Sequence, residues 1–344
     1  MNKIYQSSAY NFIFNGTTGY FIRWGKTLND DPDRAPVPEI MDIEISTICK
    51  QGCAFCYKSN TSKGEYMSLE TFKKVFAKLP KSLTQIAFGI GDLSGNPDLF
   101  EIMTYTRQNG VVPNITVNGA ELTDEMADKL ANVCGAIAVS CYDKDVCFEA
   151  VKKLTDRVRK GNPLRQVNIH AMLSEESYDK CFSLIEDRLH DPRLEKLNAI
   201  VYLQLKPVGR ALGVFHQLSS EEKFANLVKK ALDNKVGIGF DSCSSPMFIA
   251  FIKKNPQFAA LEKFVEPCES TLFSGYLDVG GYFHPCSFAE GREDIESINV
   301  LEVQDFKKEV WNASSTLKFA ENLIKNKDCN GCRKCHLFNL TFGQ

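Results

Sequence analysis

The stretch IEISTICKQGCAFCY, residues 43–57, decides how the chain is read. It opens inside a short β-like run, MDIEIS (41–46), and then places Cys49, Cys53 and Cys56 in a Cys-x3-Cys-x2-Cys loop directly after that strand. Three thiolates can ligate three irons of a cubane cluster and leave the fourth iron open to an outside ligand. A structural zinc site normally takes four protein ligands, and this loop offers no adjacent fourth Cys or His. On the residues alone, a fourth ligand from elsewhere and a redox pair with one spare thiol both stay open.

Outward from this loop, β-like runs alternate with amphipathic segments as far as Phe240. The strand candidates after MDIEIS are LTQIAFG (83–89), NITVN (114–118), AIAVS (136–140), QVNIHAML (166–173), AIVYLQL (199–205) and VGIGF (236–240). SLETFKKVFAKL (68–79) puts Phe72, Val75, Phe76 and Leu79 on one side of a helix with Ser68 as its N-cap. Ser219 and Glu222 have capping-box spacing for a later helix. Repeated βα order predicts parallel strands, covering helices and functional loops at the strands' C-terminal ends. Residues 1–40, with YNFIF, GYFIRWG and the turn-rich NDDPDRAPVP, read as a strap or hairpin. Residues 241–344 lose the βα repetition and read as a small cofactor-stapled extension.

With the loop and the strand order in hand, IEISTICKQGCAFCY resembles the cluster-binding signature of the radical S-adenosylmethionine (SAM) superfamily, over roughly residues 41–240. The resemblance implies an α/β fold with a partial (β/α)6 TIM-like barrel. It also implies a [4Fe-4S] cluster on Cys49, Cys53 and Cys56, with SAM bound through its amine and carboxylate to the open iron. One electron would then cleave SAM to a 5′-deoxyadenosyl radical that abstracts a substrate hydrogen, and the protein positions atoms and excludes competing reactions. Phe55 looks like the family's aromatic residue near the adenine. FGIGD (88–92) resembles the glycine-glycine-glutamate motif that binds the methionyl amine, with Ile90 between Gly89 and Gly91 and with Asp92 in the glutamate position. TVNG (116–119) looks like the third-strand signature and supplies Asn118; Ser140 and Asn168 stand in places similar to the ribose and carboxylate contacts. Gln204, Lys206 and Arg210 in LQLKPVGRA (203–211) are donors suited to a carboxylate.

Ten further cysteines complete a total of thirteen. Cys134, Cys141, Cys147 and Cys181 fall in ordinary strand or helix contexts, where Cys acts as a small buried hydrophobe. Cys268, Gly281 and Cys286 fit the Cys-x9–15-Gly-x4-Cys pattern of the auxiliary-cluster extensions called SPASM and twitch, and CNGCRKC adds Cys329, Cys332 and Cys335. The resemblance implies one auxiliary [4Fe-4S] cluster, with Cys268 and Cys286 as ligands and two more from the C-terminal trio. A zinc knuckle on the same groups competes. Cys243, in GFDSCSSP, reads as a distant ligand, a core thiol or a catalytic hydrogen-atom donor facing the radical.

Composition bounds the rest. The chain has 344 residues, 44% of them hydrophobic, which suffices for a sizeable core. With 41 basic and 43 acidic residues, its net charge of −2 gives no broad positive field for nucleic acid. No apolar run is long enough for a bilayer, and MNKIYQSSAYNF lacks a signal peptide's basic start and apolar stretch, so a cytoplasmic protein is expected. The first expectation is a radical oxidoreductase or peptide-modifying enzyme, with a peptide or small-molecule substrate and a flavodoxin or ferredoxin as electron donor. Metabolite dehydrogenation or rearrangement, RNA modification and a non-enzymatic iron–sulfur electron carrier are the alternatives. Ser287 stands where sulfatase-maturing relatives carry an Asp base, which argues against that assignment.

Overall fold

The computed structural model describes residues 2–159, 161–340 and 342. Strands β1 (Asn2–Tyr5), β2 (Asn11–Asn15) and β3 (Phe21–Trp24) form an antiparallel sheet rather than a single hairpin. Its inner face buries Tyr10, Phe12 and Phe14 against Leu272, Phe273, Ala320 and Leu323. Arg23 fastens it further, lying 3.7 Å from the centre of the Phe273 ring and pairing with Glu39 at 2.8 Å and Glu269 at 2.9 Å.

The main sheet follows in chain order. It comprises β4 (Ile40–Glu44), β5 (Gln85–Gly89), β6 (Val112–Val117), β7 (Ala136–Ser140), β8 (Gln166–Leu173), β9 (Ala199–Gln204) and β10 (Ile238–Phe240), each parallel to its neighbour. Between successive strands run α1 (Leu69–Lys78), α2 (Leu99–Gln108), α3 (Asp124–Val133), α4 (Lys144–Thr155), α5 (Tyr178–His190) and α6 (Glu221–Asp233). Ser68 caps α1 by accepting the Thr71 N–H at 3.2 Å, and Phe72 and Val75 are buried as the spacing predicts. The cap of α6 moves one residue from its expected place. Glu175 holds both the N–H and the hydroxyl of Ser219 at 2.9 Å, so Ser220 caps Lys223 instead.

Beyond β4 the sheet continues through β11 (Ser274–Leu277), β12 (Tyr282–His284) and β13 (Ile298–Asn299). Because β4 pairs with β11 and not with β10, the barrel is partial. The helices α7 (Ser245–Lys254) and α8 (Ser314–Lys325) flank this C-terminal part. Phe283, Phe306, Val310 and Trp311 join the main apolar core, and the Trp311 indole donates to Ala35 O at 3.0 Å. Among the described residues no helix is long and apolar enough to cross a membrane.

Strand parity explains why a site forms inside. Side chains of a strand alternate between faces, and Met41, Ile43, Ile86, Phe88, Ile137, Val139, Val167 and Ile169 are buried in the core. The intervening residues are Asp42, Glu44, Gln85, Asn114, Thr116, Ser140, Asn168 and His170. A packed (β/α)8 barrel fills its interior with bulky aliphatic layers. This lumen is polar, with Asn114 donating to Gln85 at 3.0 Å and Thr116 3.4 Å from His170.

Candidate functional site

The loop carrying Cys49, Cys53 and Cys56 leaves the C-terminal end of β4 and is clasped from several strands. Gly91 lies so close that a Cβ there would stand 2.4 Å from Ile48 O and 2.6 Å from Cys49 Cβ. Gly209, at φ +60°, leaves the same kind of room, with Tyr57 O 2.3 Å from the position a Cβ would take. The next residue, Arg210, donates its backbone N–H to Cys56 O at 3.0 Å and its guanidinium to Cys53 O and Ser59 O at 3.2 Å, and also to Asn60 O. All three thiols are free and half-buried. Burial holds the Cys49 and Cys53 thiols above their ordinary pKa, and neighbouring thiols and Asp92 push the same way. A bound cation reverses that balance, because coordination deprotonates thiols outright.

Asp92 is fully buried at the end of the FGIGD turn. Its carboxylate accepts the Lys50 N–H at 2.6 Å and the Asn118 amide at 2.9 Å, and lies 3.7 Å from Cys49 Sγ. Asp92, expected to contact the methionyl amine, is seen here as a brace of the cysteine loop. Gly89 faces Glu44, whose Cα is 3.3 Å from the position of an added Cβ. Phe55 packs against Tyr142 at 5.2 Å and Phe215 at 5.9 Å between ring centres. Ser140, at the end of β7, hydrogen-bonds Tyr142. Asn168 lies elsewhere: it is the third residue of β8, near that strand's start, and accepts from Asn198 at 2.8 Å.

The suggested carboxylate donors are engaged in other bonds. Arg210 holds the loop, Gln204 reaches Leu218 O at 3.4 Å, and Lys206 is buried in an ion pair with Asp241. Inside the lumen, Lys58 pairs with Glu44 at 3.1 Å and donates to Tyr276 at 2.8 Å; Glu290 joins both. Asp42 and Tyr57 are surrounded by protein yet open to solvent through the lumen. Burial pushes the Asp42 carboxyl up to about 6 and raises the Tyr57 phenol, while it lowers the His170 imidazole to about 4. His170 and Tyr276 carried no sequence motif; alternation along β8 was the available signal for His170.

The C-terminal cysteines separate into two groups. Cys243, Cys268, Cys286 and Cys335 line one cavity of about 290 Å³, together with Asp42, Lys206 and Asp241. Cys329 is exposed, and Cys332 is buried with its thiol directed at Arg333 O, 3.6 Å away. Among the described residues no three His, Cys, Asp or Glu side chains converge as ligands of one metal ion. Cys134, Cys141, Cys147 and Cys181 are buried in the core.

Comparison with known proteins agrees with this geometry. Residues 43–185, which carry the cysteine loop, match the model of the Radical SAM superfamily, whose cofactors are a [4Fe-4S] cluster and SAM. The tungsten-containing aldehyde ferredoxin oxidoreductase cofactor-modifying protein of Pyrococcus furiosus is 25% identical over 156 residues, 40% of this chain and 44% of its own length. The chain thus spans less than half of that curated relative. SuiB of Streptococcus suis has the same fold at a TM-score of 0.71 and 12% identity, covering 98% of this chain and 94% of its own. So does anSMEcpe with bound SAM and Cp18Cys peptide, at 0.62 and 12%, covering 86% of this chain and 88% of its own.

Proposed function

We propose that the chain is a radical SAM enzyme that modifies a peptide or protein by abstracting a hydrogen atom from a residue held in the barrel lumen. One observation carries this reading. Asp42, on the strand that feeds the Cys49–Cys56 loop, lines the same cavity as Cys243, Cys268, Cys286 and Cys335. The cavity lined by the C-terminal cysteines therefore reaches the strand that feeds the barrel loop, and we read that space as the place where a substrate side chain fits. The fold shared with anSMEcpe, whose structure holds a peptide beside SAM, supports the substrate class.

When bound, the cluster and SAM supply one-electron cleavage to a carbon radical, fed by a flavodoxin- or ferredoxin-class donor. The chain's own residues set the stage for it. Cys49, Cys53 and Cys56 hold the cluster. The backbone of 89–92, with Asn118 and Ser140, borders the SAM site, and Phe55 with Tyr142 gives it an aromatic wall. Glu44, Lys58, Tyr276 and Glu290 form a charged, hydrogen-bonded wall that orients polar substrate groups.

The test is anaerobic reconstitution with reductant and SAM. The expected result is 5′-deoxyadenosine from the unsubstituted chain and none from Cys49→Ala, Cys53→Ala or Cys56→Ala. No 5′-deoxyadenosine from a fully loaded, reducible chain sinks the proposal. The Pyrococcus relative's name favours a second reading, in which the substrate is a small cofactor. Deuterium transferred to 5′-deoxyadenosine from a labelled peptide supports the first reading; transfer only from a labelled small molecule supports the second.

A further inference from the structure

We propose that Cys243, Cys268, Cys286 and Cys335 are the four ligands of an auxiliary [4Fe-4S] cluster, and that Cys329 and Cys332 take no part in it. The assignment rests on the iron–sulfur reading of the chain but not on its catalytic activity. The four thiols come from separate segments: the turn after β10, the loop before β11, the turn after β12 and the C-terminal tail. Folding brings all of them to the wall of one cavity. All four are free thiols on the wall of that cavity, although Cys268 also packs in the apolar cluster under the N-terminal sheet.

Backbone donors point at the same sulfurs. The Leu337 N–H donates to Cys335 Sγ at 3.4 Å. Cys268 receives the N–H of Ser270, and Cys286 receives those of Phe288 and Ala289. Hydrogen bonds to ligand sulfurs are a principal control on cluster stability and potential. Each Fe–S bond formed releases one thiol proton, and four thiolates around a core of charge +2 leave a net charge of −2; the Lys206 ammonium on the same cavity wall is already paired with Asp241.

The CNGCRKC trio divides for a local reason. Asp328 accepts the N–H groups of Asn330 and Cys332, both at 2.9 Å, which closes residues 328–332 into a turn of their own. Only after that turn does the chain reach the cavity, at Cys335. The fourth ligand comes instead from Cys243, fixed by the turn that begins α7.

The experiment uses the full chain carrying Cys49→Ala, Cys53→Ala and Cys56→Ala, reconstituted anaerobically with iron and sulfide. This chain is expected to hold half the iron and sulfide of the unsubstituted one and to give the EPR signal of a reduced cluster. Adding Cys243→Ser is expected to cut the iron by more than about threefold, or to keep it with a shifted EPR spectrum from oxygen ligation. Adding Cys329→Ser with Cys332→Ser is expected to change neither. The assignment is overturned by an unchanged spectrum after Cys243→Ser, by iron loss from the Cys329/Cys332 variant with native circular dichroism, or by zinc in place of iron. Should Cys243→Ser unfold the chain, the Cys329/Cys332 arm still decides. Absence of 5′-deoxyadenosine from a chain with an intact second cluster would refute the proposed function and leave this assignment standing.

Discussion

The phenol of Tyr57 hydrogen-bonds the side chain of Ser287, and its ring lies 4.5 Å from that of Phe288. Tyr57 directly follows the last cysteine of the barrel loop, and Ser287 directly follows Cys286, so this contact joins the two cysteine-bearing segments. A net hydrogen bond of this type contributes about 0.5–1.5 kcal/mol. A double-mutant cycle of Tyr57→Phe and Ser287→Ala, read by urea unfolding, should give a coupling in that range. Additive effects would mean that the two segments meet only through ring packing.

Gly91→Ala should damage the barrel loop selectively. The added methyl would meet Ile48 O and Cys49 Cβ, both held by backbone bonds, so the loop must move. Overpacking of this kind costs about 1–3 kcal/mol. Iron analysis should show the barrel cluster depleted and the C-terminal cluster kept. Equal depletion of both would mean that the loop and the C-terminal cavity are not independent.

Lys206 and Asp241 form a buried ion pair at the barrel's open side. Removing one charge from such a pair leaves the other uncompensated and costs about 3–5 kcal/mol, whereas removing both is far milder. Asp241→Asn should therefore lower the unfolding midpoint sharply, and Lys206→Met combined with Asp241→Asn should restore most of it. A double variant no better than the single one would show that Asp241 matters through bonds other than this pair, among them its acceptance from Ser244.

The barrel was legible because its signals are local. AIAVS and QVNIHAML coincide with β7 and β8, since alternation and flanking turns specify a strand wherever it goes. What escaped were partners fixed by closure of the chain. Arg210 and Lys206 read as anion donors, but carbonyls of the cysteine loop and the Asp241 carboxylate reach them first, and no periodicity announces contacts between residues so far apart in sequence. Likewise, spacing within CNGCRKC says nothing of the Asp328 turn that separates Cys332 from Cys335. Asn168 shows how register matters: it shares a face with His170, but β8 starts only two residues before it, which puts it at the strand's wrong end for the cysteine loop.

His170 should make stability fall with acid. Its imidazole faces the lumen beside Thr116, where burial lowers its pKa to about 4 against 6.5 when free; Asp241 opposes the shift only partly. The folded protein thus binds the proton less readily than the unfolded chain does. Stability from the neutral imidazole is fully present above about pH 6.5 and is lost as pH falls through about 4. Between pH 7.5 and 5 the loss amounts to about 1–2 kcal/mol once solvent in the lumen is allowed for. Urea unfolding at the two pH values should show His170→Gln losing less stability than the unsubstituted chain by that margin. Identical losses would place the acid sensitivity on other groups, and the lumen would then be wetter around His170 than its burial indicates.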